Sequence, residues 1–508
     1  MNRRTSVIVQ LALWLGLALA PWALSSAGPP PVPPAADFEQ TLSQGFDLER
    51  SGHWSRAVQL YEDATKIHPD SQLLRERLRH CQIHYGLARR YHDSSFRSQL
   101  LALPRTRALR LYDEVSQKVE ENYVEPPELS KLFHSGIDNL LVACDDESFI
   151  KANLPNAKPE QISRFRDQLR RWKNLNVRDR AEARRQVASV TALAESWLGI
   201  QPAPVILEFI SGECDALDDY SSFLTPDHLN ELYSVIDGSF VGIGVELQSD
   251  DDGLLVVNVL SGGPAAEAGV RGKDHIVAVD SIPTVGLPTE EAANLLQGKE
   301  GTSVQLWIRS PAESDLRRLV LRRRALDVQS VPAAHLISPA EGIGYVQISA
   351  FQKSTLSELE AAVAKLEQQG MRGLILDLRG NPGGLLTSAV EVSDKFLTDG
   401  VIVSTRGRAE GQTYTHRAHR AQTWTFPLVL LIDNDSASAS EIVAGAIQDN
   451  RRGTIVGARS HGKGSVQSVF PLDAAGGLRL TTAKFFSPYG RAYAGQGVSP
   501  DIEVRRGT

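Results

Sequence analysis

Cysteine is scarce in this chain: three residues in 508, at positions 81, 144 and 214. Three cysteines cannot make a disulfide scaffold, and in an exported chain an odd count leaves at least one thiol free or bonded to another molecule. Cys144 and Cys214 bracket a charged stretch and are candidates to pair with each other. An excess of positive charge is missing too. The chain carries 54 Lys and Arg against 61 Asp and Glu, a net charge of −7. That balance lacks the electrostatic footprint of a nucleic-acid-binding protein. No long apolar run follows residue 27, so no later segment reads as a membrane span. Neither the His80, Cys81, His84 group nor the His416, His419 pair has a third ligand nearby or an HExxH frame. No metal or other cofactor is therefore expected.

The first 27 residues stand apart. Arg3 and Arg4 open them, an apolar run from Val7 to Ala20 follows, and Ser25-Ser26-Ala27 offers small residues for cleavage. This is the pattern of an export signal. The expected location is the periplasm or cell envelope. An uncleaved segment, nearly long enough to span a bilayer, would anchor the chain there instead. The whole sequence is 42% hydrophobic and 23% charged. That composition permits sizeable cores, and the length allows roughly three to four domains.

Residues 28–37 are a Pro-rich linker. Gly45, Gly52, Trp54, Ala57, Tyr61, Ala64 and Pro69 match most small-residue and aromatic positions of a tetratricopeptide (TPR) repeat. One unit fits well, and the TPR-like region runs over 38–103. A lone repeat cannot bury its own face, so it must pack on neighbouring helices. The region reads equally as a docking surface for a protein adaptor and as a helical cap. Residues 104–235 read as helical: two amphipathic helices broken by Pro126-Pro127, then a charged insertion at about 145–203, then LDDYSSFLTP.

The pattern changes near Gly238. GIGVEL, LLVVNVL, HIVAVD and SVQLWIRS are short strands, and TEEAANLLQG is an amphipathic helix. This order resembles a PDZ domain, placed at 236–327. Such domains bind a peptide by strand addition, with a glycine-rich loop taking the terminal carboxylate. Here that loop would be Ser239, Phe240, Val241, Gly242, Ile243 and Gly244. From residue 328 to 508 strands and helices alternate, which predicts an α/β layered core.

Three segments of that core carry chemistry. DLRGNPGG (377–384) is a buried strand running into a glycine-rich turn, where backbone N–H groups can reach a ligand. DNDSASASEI (433–442) places serines where a strand gives way to a helix. Taken alone, those serines read as helix caps. HGKGSVQ (461–467) sets Lys463 between glycines. A solvated lysine, with a pKa of about 10.4, is a poor base near neutrality. To act as one it must lose about 4 kcal/mol of preference for its charged form, through desolvation. His461, two residues away, is the competing base on spacing alone.

Together the three segments resemble the C-terminal processing peptidases, or tail-specific proteases. The resemblance covers residue 105 to the end without the insertion. It implies Ser438 as nucleophile and Lys463, 25 positions later, as general base. Gln467 would orient the lysine. The oxyanion hole would draw on the backbone of Ala439 and of the glycine turn, Gly384 with Gly383. The implied fold is multidomain α+β: a helical TPR-like region, a PDZ domain and a ClpP/crotonase-like core. The implied activity is serine endopeptidase cleavage of protein or peptide substrates bound through their C-termini. Self-association is left open. The alternative reading is a catalytically silent peptide-binding scaffold.

Overall fold

The computed structural model describes residues 9–12, 38–250, 252–285, 295–311, 315–419 and 423–504. Apart from the backbone of Val9–Ala12, the readings of the export signal and linker lie outside these residues. So does most of the TEEAANLLQG run. Among the described residues no helix is long and apolar enough to cross a membrane.

The N-terminal half is helical. Phe38–Arg50 and Trp54–Ile67 pack with the long helix Gln72–His92. Ala57, Tyr61, Leu74 and Cys81 form a small core there. Farther along helix 72–92, Ile83, Leu87 and Tyr91 belong to a second, much larger core. The repeat-like unit thus shares a helix with the region that follows. Trp54 stacks on His84 at 4.0 Å, and His84 Nδ1 lies 2.9 Å from Asp146 in the insertion. The lone unit finds its neighbours in that helix and in the insertion.

The charged insertion folds as Glu147–Asn153, Pro159–Trp172 and Arg180–Leu198. Pro202–Asp215 is the axis of the large core: every residue from Ala203 to Cys214 is buried. The three cysteines are free and buried, so Cys144 and Cys214 do not pair. Both sit among aliphatic side chains of the same core. Burial pushes the Cys144 thiol up to about 12, which keeps it protonated and inert.

The middle of the chain forms an antiparallel sheet in the order Val245–Asp250, Gly253–Val259, His275–Val279, Ser303–Arg309, Arg317–Arg322. SVQLWIRS, the last strand that the sequence pattern marks in this region, does not close the sheet. Arg317–Arg322 pairs beyond it, with Leu319 and Leu321 turned to the sheet core. A separate two-stranded ribbon, Ser239–Gly242 with Arg324–Asp327, joins the segments that enter and leave this sheet.

The C-terminal third has two sheets. One runs Ala333–Ser338, Ile343–Gln347, Gly373–Asp377, Leu428–Ile432, Thr454–Gly457, Ile502–Glu503, parallel after the first pair. Helices Thr355–Gln368 and Ala439–Asp449 are crossovers between neighbouring parallel strands. The other sheet holds Gly384–Leu385, Val9–Ala12, Ser465–Pro471, Gly477–Phe486, Val401–Gly407 and Tyr414–Arg417 in that order. Ser222–Leu224 also pairs with Gly477–Phe486 and ties the helical half to the core.

Glu213, in the buried helix, accepts one hydrogen bond from Ser116 Oγ at 2.8 Å. Burial raises its pKa to about 8. The folded protein keeps a proton that the unfolded chain releases above about pH 4.5. Stability should therefore fall as pH rises from about 4.5 to 8. Glu213→Gln, which cannot ionise, should be more stable than wild type by a few kcal/mol above pH 8. The gap should close below pH 5. Urea denaturation across this range measures it, and a gap that does not change with pH contradicts the assignment.

Candidate active site

Three neighbouring parallel strands end at one edge of the core. DLRGNPGG leaves Gly373–Asp377, DNDSASAS leaves Leu428–Ile432, and the loop to HGKG leaves Thr454–Gly457. The carboxyl ends of adjacent parallel strands are where open α/β sheets place their sites. This topology gathers segments that lie up to about 80 residues apart in sequence.

Short hydrogen bonds lock the first two segments together. Ser436 Oγ donates to the Leu378 carbonyl at 2.8 Å, and Ser440 Oγ donates to the Asn381 carbonyl at 2.9 Å. The Ala437 N–H reaches the same Asn381 carbonyl at 3.0 Å. Gly380 N–H donates to Asp433 Oδ1 at 2.9 Å. Asn381, fully buried, fixes the turn from within: its Nδ2 donates to the Ile348 carbonyl and its Oδ1 accepts the Gly383 N–H, both at 2.8 Å. The serines flanking Ser438 are thus spent on holding the glycine turn.

Ser438 is buried and precedes helix Ala439–Asp449 with φ 57° and ψ −111°. A non-glycine residue held there costs about 1–3 kcal/mol, and such strain persists only where the surroundings enforce it. A serine on a sharp strand-to-helix turn is also the geometry of a nucleophile elbow.

The enforcing group is Glu441, which is fully buried. Its Oε2 accepts the backbone N–H of Ser438 at 2.7 Å and of Lys463 at 2.9 Å. Its Oε1 accepts Ser460 Oγ at 2.6 Å and the Gly462 N–H at 2.7 Å. One carboxylate therefore ties the two segments that carry Ser438 and Lys463. Burial pushes its pKa up, while the four hydrogen bonds pull it down. From sequence, Glu441 reads only as a favourable acid in the first helical turn. Its place three residues after Ser438, the capping-box spacing, is the sequence signal for the bond to Ser438. The other three donors lie about 20 residues away and are invisible there.

Lys463 is 1% exposed, among the largest fully buried side chains of the described residues. Burial pushes its pKa well below the ordinary lysine value. Arg479 pushes the same way, against the pull of Asp218 and Glu441. Lys463 Nζ lies 4.6 Å from the centroid of the Tyr220 ring. His461 is exposed, and its N–H is bonded to the Ser436 carbonyl. Burial sets the two candidate bases apart, with Lys463 sealed from water and His461 open to it.

Gln467 is buried beside this group. Its Nε2 donates to Ser465 Oγ at 3.0 Å and to Thr481 Oγ1 at 3.3 Å. Its Oε1 has no partner among the described residues. Gly383 sits against Ser438: a Cβ there would stand 2.8 Å from Ser438 Cβ, and φ is 107°. Its N–H is committed to Asn381, so its part is to allow close approach rather than to donate. Gly384 lies against Phe351, where a Cβ would collide with the Phe351 carbonyl. Ala439 is the first residue of the helix, a position whose N–H has no carbonyl a turn earlier within the helix to bond. Between Gly384–Leu385 and Ser465–Pro471 there is room for one extended strand. The backbone of Val9–Ala12 occupies it, antiparallel to both, with Ala12 opposite Gly384 and Leu11 opposite Gln467.

The six residues read as a carboxylate loop are only partly a loop. Ser239–Gly242 is a strand paired with Arg324–Asp327, and only Ile243-Gly244 form the turn into the PDZ-like sheet. Phe240 and Val241 carry side chains that favour a strand over a loop.

Glu441→Gln removes an acceptor from a site with four donors, because its amide group would face two of them. Each hydrogen bond to a charged group is worth about 1.5–3 kcal/mol. The variant is expected to lose roughly 10–100-fold in kcat, together with a lower melting temperature. Ser460→Ala, which removes one donor only, should lose much less. Equal kcat in Glu441→Gln and wild type would contradict the tie.

Residues 342–504 match the model of Peptidase family S41, and residues 241–311 match that of the PDZ domain. The carboxy-terminal-processing protease of Bartonella bacilliformis is 38% identical over 308 residues, covering 58% of this chain and 69% of that protein. The carboxyl-terminal-processing proteases of Synechocystis sp. and Picosynechococcus sp. are 34% and 35% identical over 292 and 297 residues. These matches cover 57% and 58% of this chain, and 68% and 72% of the respective relatives. A core with its motifs on adjacent strand ends, a PDZ domain before it and this degree of identity lead to one conclusion: the chain belongs to the carboxy-terminal-processing proteases, serine-type peptidases of family S41.

Proposed function

We propose that this protein is an exported endopeptidase that cuts protein substrates near or from their C-terminal tails, with Ser438 and Lys463 as its dyad. The observation that carries this reading is the buried Lys463, its backbone tied to that of Ser438 through the single carboxylate of Glu441. Residues 236–327 are read as the PDZ unit and 328–508 as the peptidase core. Residues 1–27 are read as the export signal.

In this reading neutral Lys463 takes the proton of Ser438 Oγ, and Oγ attacks the peptide carbonyl. Backbone N–H groups of Gly384 and Ala439 receive the oxyanion, at roughly 2.7–4 kcal/mol for each such donor. Lys463 then gives its proton to the leaving amine, and water releases the acyl group. Gln467 Oε1, buried and unpartnered among the described residues, is suited to accept from Lys463. The substrate would lie extended between Gly384–Leu385 and Ser465–Pro471, where Val9–Ala12 lies. The PDZ unit would take the substrate's tail or gate the site.

Activity on a denatured exported protein should rise with pH through an apparent pKa well below the ordinary 10.4 of lysine. The rise reflects loss of the Lys463 proton. Ser438→Ala and Lys463→Ala should be inactive, and His461→Ala should keep most of its activity. Retained activity in Lys463→Ala, with loss in His461→Ala, would overturn the assignment. The Ser438→Ala protein should capture substrates from its own compartment. Their shared C-terminal residues, read by mass spectrometry, would test tail recognition separately.

A further inference from the structure

Tyr220 belongs to the helical half, yet its ring faces the side-chain nitrogen of Lys463 at 4.6 Å. The loop that carries it is built to hold it there. Asp218 Oδ1 accepts the N–H groups of Tyr220 and Ser221 at 2.9 and 2.7 Å. Ser221 Oγ accepts the Thr481 N–H at 3.2 Å. Ser222, Phe223 and Leu224 pair with Arg479, Leu478 and Gly477. Tyr123 Oη donates to the Leu217 carbonyl at 3.1 Å. The loop is thus stitched to strand Gly477–Phe486, the neighbour of the strand that begins just after Lys463.

A base that is neutral before the reaction becomes an ammonium once it has taken a proton. That ion forms in a desolvated place beside the buried Arg479, which repels it. The carboxylates that attract it are Asp218 and Glu441. Asp218 is engaged by the loop's own amides, and both oxygens of Glu441 are filled by four donors. The face of an aromatic ring attracts a cation and gives a neutral amine far less. A group that favours the charged form over the neutral one acts on the transition state and not on the ground state.

We propose that Tyr220 is a positioning residue of the peptidase: its ring face holds the ammonium that neutral Lys463 becomes when it takes the proton of Ser438. This rests on the Ser438–Lys463 reading. The ring is the working part, and the hydroxyl is dispensable.

The test uses the full chain and a peptide substrate. Active sites are titrated with a fluorophosphonate that labels the serine, so that misfolded protein is not counted. Tyr220→Phe should keep kcat within about 3-fold. Tyr220→Leu should lose about 10-fold or more in kcat with little change in KM. Its kcat/KM–pH profile should have the rising limb moved to lower pH, because loss of the ring weakens the ammonium. Asp218, Glu441, Arg479 and His461 also surround the lysine. The profile is therefore repeated in the His461→Ala background, where the limb should still move. Equal losses in Tyr220→Phe and Tyr220→Leu would overturn the proposal, as would a limb that stays in place in Tyr220→Leu. Lys463→Ala separates the two readings. If it stays active the dyad itself fails. If it is dead while Tyr220→Leu behaves as wild type, only the role of Tyr220 fails.

Discussion

One buried carboxylate organises the candidate active site of this protein. Glu441 receives the amides of Ser438, Gly462 and Lys463 and the hydroxyl of Ser460. A buried charge is tolerated only when it is satisfied by hydrogen bonds, and here all four come from the two segments that must meet. The strained backbone of Ser438 persists because Glu441 and the neighbouring serines hold it from both sides. Remove the carboxylate, and neither the elbow nor the lysine loop keeps its reference point.

The lysine is set by the opposite tactic. Its backbone is tied to a charge, while its side chain is sealed away from water. Desolvation costs the ammonium more than the amine, so the site holds the lysine toward its neutral form. Arg479 adds to that bias from strand Gly477–Phe486. Tyr220 faces the same nitrogen from a loop of the helical half, which makes that half part of the site's electrical environment and not merely a cap.

The PDZ unit is joined to this site by short links. Gly238 accepts from the Val328 N–H, and Ile236 accepts from the Lys353 N–H. Two residues from Lys353, Phe351 donates to the Gly383 carbonyl and accepts from the Leu385 N–H. Gly383 in turn stands against Ser438. The ribbon of Ser239–Gly242 with Arg324–Asp327 lies at the start of this chain of contacts. A shift of the PDZ unit at the ribbon would therefore meet the glycine turn within a few residues.

Local signals in the sequence determined most of the element list. Alternating strands, glycine-ended helices and Pro126-Pro127 placed helices and strands close to where they occur, because those signals act over a few residues. The family resemblance carried by SASAS, GKG and the glycine turn also implied Ser438 and Lys463. Side-chain pairing was not legible. Cys144 and Cys214 suggested a bridge, but each packs separately into aliphatic core. Ser239–Gly242 read as a loop because its partner strand lies some 85 residues away. The convergence of four donors on Glu441, the burial that distinguishes Lys463 from His461, and the ring of Tyr220 on the lysine all join residues distant in the chain. Those features came from the tertiary structure alone, because satisfaction of a buried charge and removal of water depend on what surrounds a residue in space.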